Sequence, residues 1–359
     1  MKASTRLIVS SVLPMVFLTW AVLIALTSLL TLSQEVDEIG IGSYGATSAL
    51  SYTLWTLPRR AYDYFVYACI IGGLAGLGQL AQSSELIALQ ALGLSKRKIV
   101  WRVLLSVGLL TLVVMALAEM WGSIGDRRAD ALVAQAKTPG LSIGAKFGMW
   151  IKDGPAFFNA RQAMADDNGK LTELWQVRIL EFNAQSELSR VLTAATARFE
   201  PGIGWRLNDV SDQIFGRDRA LLTQRATVLW ASRLKPEQIA ARATRPGRQS
   251  ILELTENIDY ARDNGLETRS FEAALWYRIS FPVGVLGLLL AGLPLVFGAL
   301  RSGGLGKRIF LGMVLALAFF FLQRTVANLF ETYGWNLATA YLLPPILLGT
   351  WGLYRLRQV

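Results

Sequence analysis

No histidine occurs in this chain of 359 residues, and cysteine occurs once, at Cys69. Without histidine there are no Ser-His or Cys-His nucleophilic dyads, no HExxH zinc sites and no haem ligation by imidazole. A single cysteine excludes an internal disulfide; Cys69 lies inside an apolar run, where a thiol packs as an inert side chain. Charge is scarce as well. Only 17% of the residues are charged, against about 25% in an average soluble domain. The phosphate-binding pattern GxxxxGK followed by Ser or Thr is missing. Gly303-Gly304-Leu305-Gly306-Lys307-Arg308 resembles it only superficially, lacking the hydroxyl ligand and a preceding strand. It reads as a flexible, positively charged loop, so the chain is expected to hold no nucleotide, metal or other cofactor of its own.

What the chain has instead is apolar length. Hydrophobic residues make up 53% and the mean hydropathy is +0.38. Six runs approach or exceed the length of a membrane span: Leu7–Leu32, Tyr64–Ala81, Ile99–Ala118, Ile279–Ala299, Ile309–Leu322 running toward Phe330, and Leu337–Tyr354. The first is free of charge for about 26 residues, too long for the core of a cleaved signal peptide, so it reads as a span, with Pro14 placed to kink it. The net charge of +10 is no argument for nucleic acid, because the cations gather beside the spans. Lys2 and Arg6, then Lys96, Arg97, Lys98 and Arg102, then Arg301, Lys307 and Arg308, then Arg355 and Arg357 mark one side. On the other side Glu35, Asp37, Glu38 and Asp63 outnumber Arg59 and Arg60. Both termini are therefore expected in the cytoplasm.

A polar insert of about 150 residues separates spans three and four and falls on the outer side. Turn signals at Asp153-Gly154, Asp166-Asp167-Asn168-Gly169 and Glu200-Pro201-Gly202 divide it into short strands, among them Leu174–Phe182, Val191–Phe199, Gly204–Val210 and Ala220–Trp230. This pattern predicts an antiparallel sandwich or jelly roll. A basic linker, Arg242–Arg248, follows, and Ser250–Asn264 reads as an amphipathic helix with Ile251, Leu254, Ile258 and Ala261 on one face. The fold class is thus a polytopic α-helical membrane protein with an inserted β domain. Residues 1–120 hold spans one to three, 121–250 the β domain, and 251–359 the connector and spans four to six.

One short stretch outside the bilayer stands apart. Ser84-Glu85-Leu86-Ile87-Ala88-Leu89-Gln90-Ala91-Leu92-Gly93 reads as a helix with Ser83 or Ser84 as N-cap, Glu85 at the positive end of its dipole and Gly93 in the left-handed closing position. So short a helix is unstable alone in water. Leu86, Ile87, Leu89, Leu92 and Leu94 cover most of its surface, which predicts a plug seated in another protein.

Near the spans, Gly72 and Gly76 form a surface for close helix packing, within the subunit or against a partner. Arg102, Arg278 and Arg308 lie at span ends, where long side chains snorkel. Glu119, Arg127 and Arg128 sit at the outer end of span three. Arg324 lies deeper, either as a cavity-lining cation or paired with Glu331. Tyr62, Tyr64, Phe65 and Tyr67 suit an interfacial aromatic belt or the wall of an acyl-chain cavity.

With these residues in view, the chain resembles the LptF/LptG permeases of the lipopolysaccharide export transporter over its full length. The local likeness lies in Gly42-Ser43-Tyr44, in Leu80-Ala81-Gln82-Ser83-Ser84-Glu85-Leu86 running on to Gln90-Ala91-Leu92-Gly93, in Gly148-Met149-Trp150-Ile151-Lys152-Asp153-Gly154, and in Phe297-Gly298-Ala299-Leu300-Arg301-Ser302. The first and third place it nearer the LptG branch. The resemblance implies a permease pairing with an LptF-like subunit, an LptB-like ATPase dimer that carries ATP and Mg, and an LptC-like single-span protein. It implies that Ser84, Glu85, Leu86, Leu89, Gln90, Leu92, Gly93 and Arg301 couple to the ATPase. It further implies a cavity for lipopolysaccharide, for which Thr31, Tyr64, Phe65, Arg127, Arg128, Phe320 and Arg324 are the candidates.

Where family members carry lysines near lipid phosphates, the matching stretch from Thr31 to Glu38 holds Glu35, Asp37 and Glu38. Arg127, Arg128 or Arg324, a bridging divalent cation, or a differently decorated lipid would have to take their place. Two other classes compete with the transport reading. One is a mechanotransmission permease that passes no lipid through its spans. The other is an intramembrane lipid-modifying enzyme, disfavoured by the missing histidine and paired intramembrane aspartates.

Overall fold

The computed structural model describes residues 2–137, 149–165, 171–183, 185, 187–216, 220–232, 236, 239, 246–297 and 304–358. In chain order the helices are α1 (Lys2–Val36), α2 (Ala46–Trp55), α3 (Leu57–Gln82), α4 (Glu85–Ala91) and α5 (Lys96–Lys137). Six strands follow: β1 (Met149–Asp153), β2 (Ala156–Ala165), β3 (Leu171–Phe182), β4 (Leu188–Glu200), β5 (Gly204–Phe215) and β6 (Ala220–Trp230). After a 3-10 turn at Pro246–Arg248 come α6 (Ile251–Asp263), α7 (Arg269–Phe297), α8 (Leu305–Thr332) and α9 (Leu337–Gln358). Six of these helices, α1, α3, α5, α7, α8 and α9, are long and apolar enough to cross a membrane. The contacts divide the chain into two units: residues 1–31, 57–122 and 272–359 in one, 32–56 and 123–271 in the other.

In the first unit α3 and α7 are the central pair. Of their most apolar segments 78% and 67% are buried, against 17% for α1 and α8, whose apolar faces are left for lipid or a second subunit. The glycines expected to allow close packing do so inside the subunit: a Cβ on Gly76 would stand 2.6 Å from the Ser11 carbonyl oxygen and 2.7 Å from Val12 Cα. Gly72 meets the backbone of Met15 and Val16 in the same way, so α3 lies directly on α1. Two of the three arginines expected to snorkel do not. Arg308 is wholly buried at the start of α8, with its side chain laid across Gly78 of α3. Arg278 is 6% exposed and donates to Glu119, and Arg102 donates to the Ser4 hydroxyl at 2.7 Å. A carboxylate partner on a neighbouring helix holds Arg278 inside the bundle, where a lone charge in hydrocarbon would be driven to the interface.

In the second unit the strands form one antiparallel sheet in sequential order, β1 to β6. The expected strands are present, but each pairs with its neighbours in the chain, so among the described residues the crossing connections of a jelly roll do not occur. Tight turns explain this: Asp153 faces Ala156 across a Gly154 with φ of +60°, which holds β2 beside β1. The core lies on one face, with Phe158, Leu174, Val177, Ile179, Trp205 and Leu207 buried and Phe158 stacked on Trp230 at 5.5 Å. Gln176 and Asp209 take a φ of +52°. The inward alternation steps by one residue there, from Leu174 to Val177 and from Leu207 to Val210. Continuing that alternation turns Asp212 inward, where Arg190 meets both carboxylate oxygens at 2.8 Å. α6 begins as the sequence predicts. Ser250 accepts from the Glu253 N–H, Glu253 returns the bond to the Ser250 N–H, and Leu254, Ile258 and Ala261 are buried.

Candidate functional site

Two places in the first unit gather the residues singled out by sequence. The first is α4. Its carboxyl end closes as Gly93 requires: at φ +87°, the Gly93 N–H donates to the Gln90 carbonyl at 3.0 Å and the Leu94 N–H reaches back to Leu89 at 3.1 Å. Its amino end differs from expectation. Ser84 occupies the N-cap position with φ +61° and no side-chain bond, and the Ser83 hydroxyl turns back to the Leu80 carbonyl. Neither serine caps the helix, and both are exposed, so solvent meets its first N–H groups.

Burial then separates two jobs within α4. Leu86 and Leu89 are 4% and 5% exposed and join the core of their own subunit. Ile87 and Leu92 are 46% and 80% exposed. The apolar surface expected on most of the helix is therefore split: two leucines fasten α4 to its subunit, and Ile87 and Leu92 remain to meet something else. Exposed Glu85, Ala88 and Ala91 flank them, and half-buried Gln90 borders a basic cleft of about 520 Å³ with Lys96, Arg97 and Arg357. Arg301, expected to act with this helix, lies outside the described residues.

The second place is a cavity of about 320 Å³ among α3, α7, α8 and α9. Its wall changes character along α8. Phe319 and Phe320 line one end, Gln323 and Arg324 come one turn later, and Ala327 and Asn328 one turn beyond. Tyr67 from α3, Tyr277 from α7 and Tyr341 from α9 complete it. Tyr277 and Tyr341 pack edge to face at 6.3 Å, as do Tyr67 and Phe320 at 6.4 Å. No hydrogen bond or ion pair joins Arg324 to another described residue, and the alternative of a pair with Glu331 is not formed.

Of the seven expected cavity residues, Phe320 and Arg324 come together here. Phe65 is fully buried, edge-on to Trp20 at 5.2 Å, and is not in this wall. Nor are Tyr64, which packs beside Tyr67, and Thr31, whose hydroxyl donates to the Thr27 carbonyl at 3.0 Å. Arg127 and Arg128 belong to the second unit and are engaged there: Arg127 pairs with Glu253, and the Arg128 guanidinium lies 4.7 Å over the Trp55 ring. Glu35, in the acidic stretch after the first span, accepts a 2.7 Å hydrogen bond from the Tyr44 hydroxyl. Gln323, Asn328, Tyr277 and Tyr341 were not anticipated. A three-to-four-residue repeat of cavity positions along α8 was the available signal for the first two.

The description that matches the chain, over residues 6–358, is that of the lipopolysaccharide export system permease LptF/LptG family. The lipopolysaccharide export system permease protein LptG of Escherichia coli K12 is 29% identical over 344 residues, covering 95% of this chain and 92% of that protein. Its counterpart in Haemophilus influenzae Rd is 29% identical over 344 residues, covering 95% of this chain and 94% of that one.

Proposed function

The chain belongs to the LptF/LptG family of lipopolysaccharide export permeases, a multi-pass protein of the bacterial inner membrane, and on that footing we propose how it is driven. It acts as one permease subunit of a transporter that lifts lipopolysaccharide from the outer leaflet and hands it to a protein bridge toward the outer membrane. The energy comes from ATP hydrolysed on a separate, LptB-like dimer. An LptF-like permease faces it and an LptC-like single-span protein stands beside it. The termini lie in the cytoplasm and the sheet lies in the periplasm, an orientation supported by the cations that cluster on the α4 side.

The observation that carries this reading is the division of labour in α4. A seven-residue helix held by Leu86 and Leu89 moves with its own subunit, and its exposed Leu92 and Ile87 transmit that movement to whatever they touch. The two exposed apolar residues on so short a helix, next to a cleft lined by Lys96, Arg97 and Arg357, support a docking partner.

Reconstituted in proteoliposomes with its partner permease and ATPase, the wild-type complex should release lipopolysaccharide to a soluble acceptor on adding ATP. Glu85→Ala, Gly93→Pro and Leu92→Asp should each weaken copurification of the ATPase or break the link between hydrolysis and release. Unchanged copurification and release in all three would overturn the coupling role.

A further inference from the structure

The cleft beside α4 collects cations from two long helices at one end of the first unit. It measures about 520 Å³; Lys96 and Arg97 at the start of α5 and Arg357 near the end of α9 supply its charge, Leu356 gives it an apolar wall, and Gln90 reaches it from α4. Between residues 82 and 118, and again between 333 and 359, the only acid is Glu85, which does not line the cleft. No hydrogen bond or ion pair joins the exposed side chains of Arg97 and Arg357 to another described residue. α5 opens on Lys96-Arg97-Lys98 with no acid in its first turn, so cations stand at the end of the helix dipole that favours anions. Both arginines also stand at the foot of an apolar stripe. One turn on from Arg97, Trp101 is exposed, and Leu105, Leu109 and Leu112 continue that face of α5. One turn before Arg357, Leu353 and Tyr354 are exposed on α9. Both helices are long and apolar enough to cross a membrane, and a Trp and a Tyr one turn inside the cations suit its interface. That sets Arg97 and Arg357 at the level of lipid headgroups.

We propose that this cleft binds the headgroup phosphate of an anionic phospholipid of the inner leaflet, held between Arg97 of α5 and Arg357 of α9. This rests on the orientation proposed above, which puts this end of the unit in the cytoplasm. A basic pocket between spans on that side suits such a lipid, and the guanidinium fork matches phosphate oxygens. The cleft's volume of about 520 Å³ falls within the roughly 300–1,000 Å³ of ligand sites. The apolar stripes decide between a lipid and an acidic segment of a partner protein. A lipid with its headgroup in the cleft keeps its acyl chains along Trp101, Leu105 and Leu353, a surface that a water-soluble protein does not reach. The bound lipid is separate from the cargo, which lies in the opposite leaflet. Because Gln90 belongs to α4, an occupied cleft joins three elements and steadies α4 against α5 and α9.

The test uses the assembled complex in nanodiscs of phosphatidylcholine with phosphatidylglycerol as the one anionic lipid. Native mass spectrometry then reads the phosphatidylglycerol that stays bound after extraction. Arg97→Gln and Arg357→Gln should each lower retention about fivefold, the factor that one cation contributes at an anionic membrane surface. Arg97→Lys and Arg357→Lys should keep most of it. Lys98→Gln removes a neighbouring cation that does not line the cleft and should leave retention unchanged. An equal loss there would mean diffuse attraction and overturn the proposal. Inorganic phosphate should fail to displace the lipid; displacement would make the cleft a site for small anions and overturn it too. Unchanged retention in both glutamine variants, with the complex intact, would do the same. So would loss of the ATPase from those variants with phosphatidylglycerol still bound, which would give the cleft to protein carboxylates. A wild-type complex that retains phosphatidylglycerol but releases no lipopolysaccharide would count against the transport reading alone.

Discussion

Arg278 of α7 donates a 2.6 Å hydrogen bond to Glu119 of α5, across 159 residues of sequence. Their side chains are 8% and 23% exposed, so neither charge has much access to water. Beside them Tyr62 stacks on Phe281 at 4.0 Å, with the Arg278 guanidinium 5.9 Å from the Tyr62 ring. Glu119→Leu would strand a buried cation, and removal of one partner from such a pair costs about 3–5 kcal/mol. Thermal unfolding of the purified chain in detergent should show that loss, and Glu119→Leu with Arg278→Met together should recover most of it. Equal losses in the single and double variants would mean that the pair holds nothing.

Arg127 and Glu253 are also an ion pair, but at 32% and 20% side-chain exposure solvent screens them more. Arg127→Gln should therefore cost no more than about 1 kcal/mol of stability. A double-mutant cycle with Glu253→Gln should show coupling between the two. Because Arg127 is committed to α6, retention of lipopolysaccharide should stay at the wild-type level. A retention defect in Arg127→Gln at unchanged stability would return Arg127 to the lipid path.

Acid should unfold the β sheet through Asp212. This carboxylate is 1% exposed, and the hydrogen bonds from Arg190 hold it below the usual carboxylate range despite its burial. A group with a lowered folded pKa adds stability that is complete above its unfolded value, about 3.9 for Asp, and is lost as pH falls through the folded value. Tryptophan fluorescence of the full chain, in which Trp205 and Trp230 report on the sheet among eleven tryptophans, should register a transition below pH ~3.9 on acidification. Asp212→Asn should lower stability at neutral pH and flatten that transition. A variant as acid-sensitive as wild type would show that other carboxylates control it.

Local signals in the sequence were enough for the elements whose causes are local. The Ser250/Glu253 box marks the start of α6, Gly93 marks the end of α4, and the apolar runs mark the six long helices. The β domain and its antiparallel strands were legible from their turns; the sequential order of the described strands was not, because strand order depends on which turns are tight and not on the strands themselves. α2 went unseen: Gly45 supplies no side-chain cap, and only Ala49 and Thr53 are buried in it. The arginines were misread for a different reason. Arg278 and Arg127 are fixed by acids 159 and 126 residues away, and Arg308 is accommodated because Gly78, on another helix, leaves room for it. Nothing within a few residues of these positions carries that information. The cavity shares this origin, being assembled from four helices, of which sequence supplied Phe320, Arg324 and, as one of two readings, Tyr67.

The claim at the centre of the account is that Leu92 meets a separate ATPase, and the cysteine content makes a direct measurement possible. Cys69, the chain's one cysteine, is fully buried, so Leu92→Cys introduces the accessible thiol. A short thiol-to-amine cross-linker attached at position 92 before the ATPase is added back should join this chain to the ATPase subunit once the complex assembles. A water-soluble maleimide should react there only after the ATPase has been removed. Equal maleimide labelling with and without the ATPase, and no cross-linked product, would contradict the account.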